Sequence, residues 1–191
     1  VLWKAGLGLD FRPFTAGLTV TTPALRIGGS GAATVNETRA GVDLDGDGIA
    51  DDGFVTDIQT DVRASHRSPL SIGAGAAWHL PRSRIHVAAE WFGAVGAYDL
   101  LELQPFVSQD TGELVPRRLQ DAAAAVVNVA LGFEHTFSEV YSGFLGFNTD
   151  LSAHDPASDV ATTTYDLVHL SGGAKLKLKK VRFTLGLRYV D

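Results

Sequence analysis

Apolar and polar residues alternate along most of the chain, the period of a β-strand with one greasy face. From the N-terminus the apolar members are Trp3, Ala5, Leu7, Leu9 and Phe11, with Lys4, Gly6, Gly8 and Asp10 between them. After Arg12 and Pro13 the pattern resumes through Phe14, Ala16, Leu18 and Val20, so residues 2–21 are predicted to form a hairpin. A second hairpin is predicted from Leu70, Ile72, Ala74, Ala76 and Trp78, turning at "LPRS" into Ile85, Val87, Ala89 and Trp91. A third runs through Val127, Val129, Leu131 and Phe133, turns at "TFSE" and returns through Tyr141, Gly143, Leu145 and Phe147. The fourth takes Val168, Leu170, Ala174 and Leu176, turns at "KLKK" and continues with Val181, Phe183, Leu185, Leu187 and Tyr189.

The opposite faces of these eight strands decide the class. A soluble sandwich places bulky polar residues on its solvent face. Here that face carries Gly, Ala, Ser and Thr with sparse charges of both signs, which suits the crowded interior of a closed barrel. Tight turns alternate with long polar connections over residues 22–67, 96–122 and 150–163. That is the build of an outer-membrane barrel, with short periplasmic turns and long extracellular loops. Trp3, Trp78, Trp91, Phe133, Phe137 and Tyr189 fall near predicted strand ends, where interfacial girdles belong. The expected fold is therefore all-β: an antiparallel transmembrane β-barrel domain over residues 1–191, with residues 22–67 as one long extracellular loop.

Composition narrows the function. The 191 residues carry a formal net charge of -6, and the one dense basic run, Lys175–Lys180, is short, so a nucleic-acid partner is not expected. There is no Cys, which removes disulfides and thiolate metal sites. There is no Met either, and the chain opens on Val1, Leu2 and Trp3, as expected for a piece of a longer precursor without its signal peptide. No apolar run reaches the ~18 residues of a membrane helix, a fact that leaves barrel strands untouched.

The stretch most suggestive of metal chemistry is "GVDLDGDGIADDG", residues 41–53. In a calcium loop, carboxylates at positions 1, 3 and 5 reach one ion, a Gly at 6 permits the turn and position 7 offers its carbonyl. Asp43, Asp45 and Asp47 take positions 1, 3 and 5, Gly48 takes 6, the Ile49 carbonyl takes 7 and Asp51 takes 9. Phe54 stands where an EF-hand has Glu, and no helical pattern flanks the loop, so the motif reads as an extracellular-type Asp-rich calcium loop completed by Asp52 or Asp57. The competing reading is an acidic turn in which Asp and Gly serve β-turn geometry. Catalytic motifs are lacking. "LSGG" is not a G-x-S-x-G elbow, and although Ser142, His169 and Ser171 share the inward face, their spacing alone makes no nucleophile–base pair; the chain is read as a non-enzyme. The glycine pairs of "GLGLD" and "GAGAAWH" lie within strands and open no helix, so they do not read as phosphate loops.

The segments "WKAGLGLDFRPFTAGLTVTTP", "SPLSIGAGAAWHLPRSRIHVAAEW", "DAAAAVVNVALGFEHTFSEVYSGFLGFNTDLSAHDP" and "HLSGGAKLKLKKVRFTLGLRY" carry a family resemblance. In this order, with Pro69 heading a strand and Gly146–Pro156 leaving one, they resemble the C-terminal half of the long-chain fatty-acid outer-membrane transporters, FadL-like and including aromatic-hydrocarbon transporters. The resemblance implies a barrel of about fourteen strands, of which these eight would be the sixth to the thirteenth. The chain lacks that family's Asn-Pro-Ala hatch and a closing strand with a terminal aromatic. The implied activity is uptake of hydrophobic compounds, captured by extracellular loops, held in a lumenal pocket and released sideways into the outer membrane. For a fatty acid the inward face should supply cations for the carboxylate, and the inward candidates are Lys4, Arg84, Lys175, Arg182 and Arg188. The bland alternative pairs them with Asp10, Glu90 or Glu134, and leaves His79, His86 and His169 as lumen filling. The expected partners are outer-membrane lipid, a hydrophobic small molecule and, through a calcium ion in the Asp-rich loop, anionic surface polysaccharide. The alternative function is a calcium-stabilised surface or adhesion β-domain without a lumen.

Overall fold

The structure, a computed structural model, describes residues 1–24, 28–43, 47–109, 112–160 and 163–191. The chain begins with the hairpin β1 (Lys4–Phe11) and β2 (Phe14–Thr21), then leaves as a second hairpin, β3 (Ser30–Val42) and β4 (Asp51–Arg63). It returns as β5 (Ser71–His79) and β6 (Ser83–Phe92). A second excursion follows through β7 (Val95–Leu101), the short β8 (Phe106–Val107) and β9 (Leu114–Val115), and β10 (Leu119–Ala123). The chain then completes β11 (Val126–Thr136), β12 (Tyr141–Asp150), β13 (Leu167–Leu178) and β14 (Val181–Val190).

Eight of these strands form one antiparallel sheet in the order β1-β2-β5-β6-β11-β12-β13-β14, which is the set expected from the alternation. Its outer strands, β1 and β14, are not paired with each other, so the sheet stands as a wall with two open edges. Successive strand side chains point to opposite faces, and register passes that division from strand to strand. One row reads Leu7↔Leu18, Leu18↔Ala74, Ala74↔Ala89 and Ala89↔Val129. Another reads Phe133↔Leu145, Leu145↔Gly172 and Gly172↔Leu187. Both rows belong to a single apolar face, and that face is exposed: Leu185 and Leu187 keep 78% and 84% of their accessible surface. The opposite face contains the sheet's buried polar side chains, Ser71 at 6% and His169 at 5% exposure.

The long connections differ from the polar loops expected of them. Residues 22–67 contain two 13-residue strands, because "ATVNET" and "FVTDIQT" carry the β-branched residues of a strand without its apolar face. The connection over residues 96–122 likewise contains most of β7 and β10, which pair with each other outside the main sheet. Among the described residues the buried apolar side chains, Val55, Tyr98 and Ala122, all lie in these excursions. The conventional core is thus in the cap, and the sheet has none.

The tight turns are set locally. At the β11–β12 turn Ser138 Oγ accepts from the amides of Val140 (3.3 Å) and Tyr141 (3.1 Å). Three strands are also locked through glycine. Phe144 lies opposite Gly173, which lies opposite Gly186, and a Cβ at Gly173 would meet Phe144 Cζ at 2.6 Å, Gly186 Cα at 2.8 Å and the Leu185 carbonyl. The ring covers backbone that two glycines leave open. Gly173→Ala is expected to destabilise the sheet by about 1–3 kcal/mol through overpacking. Equilibrium denaturant unfolding should show a lowered midpoint, and an unchanged one would refute the close packing.

Candidate functional site

Turn residues and strand parity bring a cationic cluster together at the tight-turn end of the polar face. Arg84 on β6 lies directly opposite Glu134 on β11. Lys175 on β13 lies opposite Ser142 on β12, and Lys177 opposite Arg182 on β14. With Arg82 from the β5–β6 turn, these side chains line a cavity of about 420 Å³. Lys175 Nζ donates to Glu134 Oε2 at 2.7 Å and lies 5.6 Å from the Phe144 ring centroid. Cations therefore outnumber carboxylates around the cavity, where Arg82, Arg84, Lys175, Lys177 and Arg182 face Glu134 and Glu139. That arrangement suits a carboxylate or another oxyanion.

The five cations expected from the sequence separate into two groups. Arg84, Lys175 and Arg182 converge, whereas Lys4 and Arg188 sit at the opposite, loop end of the sheet, across from Thr21 and Ser171. Arg188 is committed to His169, with Nη2 2.7 Å from Nδ1. A guanidinium has only donors, so Nδ1 accepts and the imidazole proton sits on Nε2. In that tautomer Nε2 is a donor and cannot take a proton from Ser171, whose Oγ donates instead to the Gly146 carbonyl at 3.4 Å. Of the acidic partners expected for the cations, Glu134 takes Lys175, while Glu90 accepts from Ser71 Oγ at 3.0 Å and Asp10 lies 3.9 Å from Arg12. Arg82 and Lys177 were not among the expected cations. Lys177 was legible, since the "KLKK" turn places it across from Arg182, but Arg82 lies in a turn, where alternation says nothing.

The polar face offers a lane toward this cluster. A cavity of about 800 Å³ lined by Gly6, Gly17, Gly73, Glu90 and Asn128 shares Gly17, Gly75 and Ala88 with one of about 480 Å³. The second shares Thr15 with a cavity of about 570 Å³, which in turn shares Leu80 and Arg84 with the cationic one. Along β6 the lane passes Glu90, Ala88, His86 and Arg84 in order, from the loop end to the turn end. Glycine and alanine keep it wide.

At the loop end three connections are tied to one buried hydroxyl. Tyr98 on β7, 6% exposed, donates from Oη to Asp121 Oδ2 on β10 (2.8 Å) and accepts from the Arg67 amide (3.1 Å). The Arg67 guanidinium lies 4.8 Å from the Tyr98 ring centroid, and Ser158 Oγ donates to Asp121 Oδ1 at 3.0 Å. The β3–β4 hairpin docks on the second excursion through side-chain amides that act as strand backbone. Gln109 and Thr56 exchange bonds of 3.1 and 3.0 Å, and Gln59 and Gln104 exchange bonds of 2.9 and 2.8 Å. Arg117 reaches Asp57 beside them at 2.8 Å.

The Asp-rich stretch is the tip of the β3–β4 hairpin. Asp43 Oδ2 accepts from the Gly48 amide (2.8 Å) and Asp47 Oδ1 from the Ile49 amide (2.7 Å). The bond from position 1 to position 6 wraps the chain as a calcium loop requires, aided by Gly48 at φ 84°. Asp45 lies outside the described residues, among which no cluster of three His, Asp or Glu side chains is arranged around a point that could hold a metal. Asp52 Oδ1 accepts from the Gly41 amide at 3.1 Å, and Asp57 is engaged by Arg117 away from the tip. Compared with known proteins, the chain matches no protein-family model and no curated sequence.

Burial, the largest influence on it, pushes the Tyr98 hydroxyl above its ordinary value. The raised value means that the Tyr98 contribution is fully present below about pH 10 and is lost as pH rises through the shifted value. Tyr98→Phe leaves Asp121 short of a donor and is expected to cost the cap about 1–3 kcal/mol. Hydrogen exchange should then accelerate at the amides of residues 63–68 and 119–123 but not in β11–β14. Uniform acceleration across both would contradict the tie.

Proposed function

We propose that the chain is the wall of an outer-membrane β-barrel that takes up hydrophobic compounds with an anionic head, long-chain fatty acids among them. The observation that carries this reading is the inversion of the sheet, whose large side chains are exposed on one continuous face while small and charged ones occupy the other. In water such a patch, far beyond a few hundred Å², promotes association; in a bilayer it is the solvated state. Strands of eight to ten residues, at about 3.3 Å per residue and about 40° of tilt, span roughly 20–25 Å, close to the apolar band of such barrels. Aromatic residues bracket that band, with Phe11, Phe14, Trp78 and Phe183 toward the turns and Trp3, Trp91 and Tyr189 toward the loops. An open edge in hydrocarbon leaves amides without partners, so the reading requires β1 and β14 to be paired in the membrane. The likeness to fourteen-stranded transporters favours further strands as those partners.

In this reading the cap receives the ligand, the Gly/Ala lane passes its chain, and Arg84, Lys175 and Arg182 hold the head while Glu134 limits how tightly. Extraction should require detergent, with strand content retained there by circular dichroism. In that detergent Arg84→Ala with Arg182→Ala should weaken binding of a long-chain fatty acid about tenfold or more, as loss of a charge-assisted hydrogen bond does. Recovery from the aqueous fraction as a monodisperse monomer would overturn the transport reading in favour of the adhesion domain.

The wrapped tip favours calcium at Asp43, Asp47, the Ile49 carbonyl and Asp51, with Asp45 completing the set; the ion would brace the longest connection against anionic surface polysaccharide. Asp47→Ala, or a calcium chelator on the native protein, should increase protease cleavage within residues 41–53 and leave the sheet folded. Global unfolding by either would count against this role, and equal cleavage with and without chelator would leave the tip a metal-free acidic turn.

A further inference from the structure

Charge divides sharply along the strand axis. The tight-turn end, made of the four hairpin turns and the strand ends beside them, carries eight of the chain's 16 Lys and Arg but three of its 22 Asp and Glu, namely Asp10, Glu134 and Glu139. The rest of the chain is left with eight cations against 19 carboxylates. A net charge of -6 therefore hides a basic end and a strongly acidic end.

Part of the basic end lies outside the cationic cavity. Arg12 stands at the β1–β2 turn with 88% of its side chain exposed, and Lys179 and Lys180 form the β13–β14 turn. Each lies just beyond the exposed aromatics of the apolar face, Arg12 between Phe11 and Phe14, and the two lysines four and three residues before Phe183. The order from the middle of the face outward is thus aliphatic, aromatic, cationic. With strands about 4.8 Å apart, the β1–β2 and β13–β14 turns are separated by six strand spacings, roughly 29 Å along the sheet. No single phosphate spans that distance, whereas a leaflet presents phosphates all along it.

We infer that the tight-turn rim, through Arg12, Lys179 and Lys180, binds the headgroups of anionic phospholipids in the leaflet that the turns face. The partner is fixed by chemistry: its charge is opposite to the rim, its acyl chains suit the apolar face directly above, and its headgroup layer lies where aromatic girdles give way to cations. The acidic loop end repels the same lipids, so the asymmetry also sets which way the wall stands in the bilayer. This inference rests on the membrane reading above.

The test uses the full chain reconstituted in nanodiscs of phosphatidylcholine alone or mixed with phosphatidylglycerol, with the lipid retained by the protein measured by native mass spectrometry. Phosphatidylglycerol should be retained at least about fivefold over its bulk fraction, and the excess should collapse at about 1 M salt, where the screening length falls to about 3 Å. The triple variant Arg12→Gln, Lys179→Gln, Lys180→Gln should insert with unchanged strand content and retain lipid at the bulk ratio. Retained enrichment in that variant, or no enrichment in the native chain, would overturn the inference while leaving transport standing. Displacement of the enriched lipid by inorganic phosphate would reassign the rim to a soluble anion and overturn it too. Failure to insert even into pure phosphatidylcholine when β1 and β14 are paired by further strands would sink the membrane reading and the inference with it.

Discussion

Everything in this structure depends on register. Seven antiparallel pairings join the eight-stranded sheet, and none contains the shifts that mark the β3–β4 and β7–β10 pairs. Because the strand period is two, one slipped residue would turn a whole strand inside out, bringing Leu, Val and Phe onto the polar face. Unbroken register lets a row such as Arg84, Glu134, Phe144, Gly173 and Gly186 run across five strands on one side. The glycines in that row matter as much as the charges, since Phe144 settles over Gly173 and Gly186 and holds three strands at a fixed lateral offset.

The sheet then faces the reverse of the usual packing problem. Its large apolar side chains have no layer to pack on, while Ser71 and His169 are buried on the other side. The conventional solution appears only in the excursions, where Val55, Tyr98 and Ala122 are enclosed and Arg117 meets Asp57 with both side chains largely covered. The chain therefore has two stabilising regimes. The excursions enclose the buried apolar side chains and are fastened by the Tyr98 hydroxyl and by glutamines that imitate strand backbone. The wall is held by ladder hydrogen bonds, and in the proposed membrane setting hydrocarbon would accept its exposed face.

The proposed transport reading draws on both ends of the wall. A lane of glycine and alanine runs along the polar face from the loop end to a cationic cavity at the turns, and the charges are distributed so that the loop end is acidic and the turn end basic. An anionic amphiphile entering at the loops would move down an electrostatic gradient toward Arg84 and Arg182. In that reading Glu134 would be the counterweight, since its bond to Lys175 neutralises one cation.

Much of the wall was legible in the chain itself. Alternation of residues such as Leu7, Gly8 and Leu9 determined the eight strands, their faces and the four tight turns, because a period of two is a local property that needs no partner. The β3–β4 hairpin was less legible, since its strands pack within a cap and show no single apolar face. Which cations meet was decided by tertiary structure alone: Arg84, Lys175 and Arg182 lie far apart in sequence, and only the pairing of β6, β11, β12, β13 and β14 brings them to one cavity, while it carries Lys4 and Arg188 to the other end. The same holds for Tyr98, Asp121 and Ser158. Patterning sets the side of the sheet on which a residue stands; its partner across the sheet is set by strand order and register, which are properties of the whole fold.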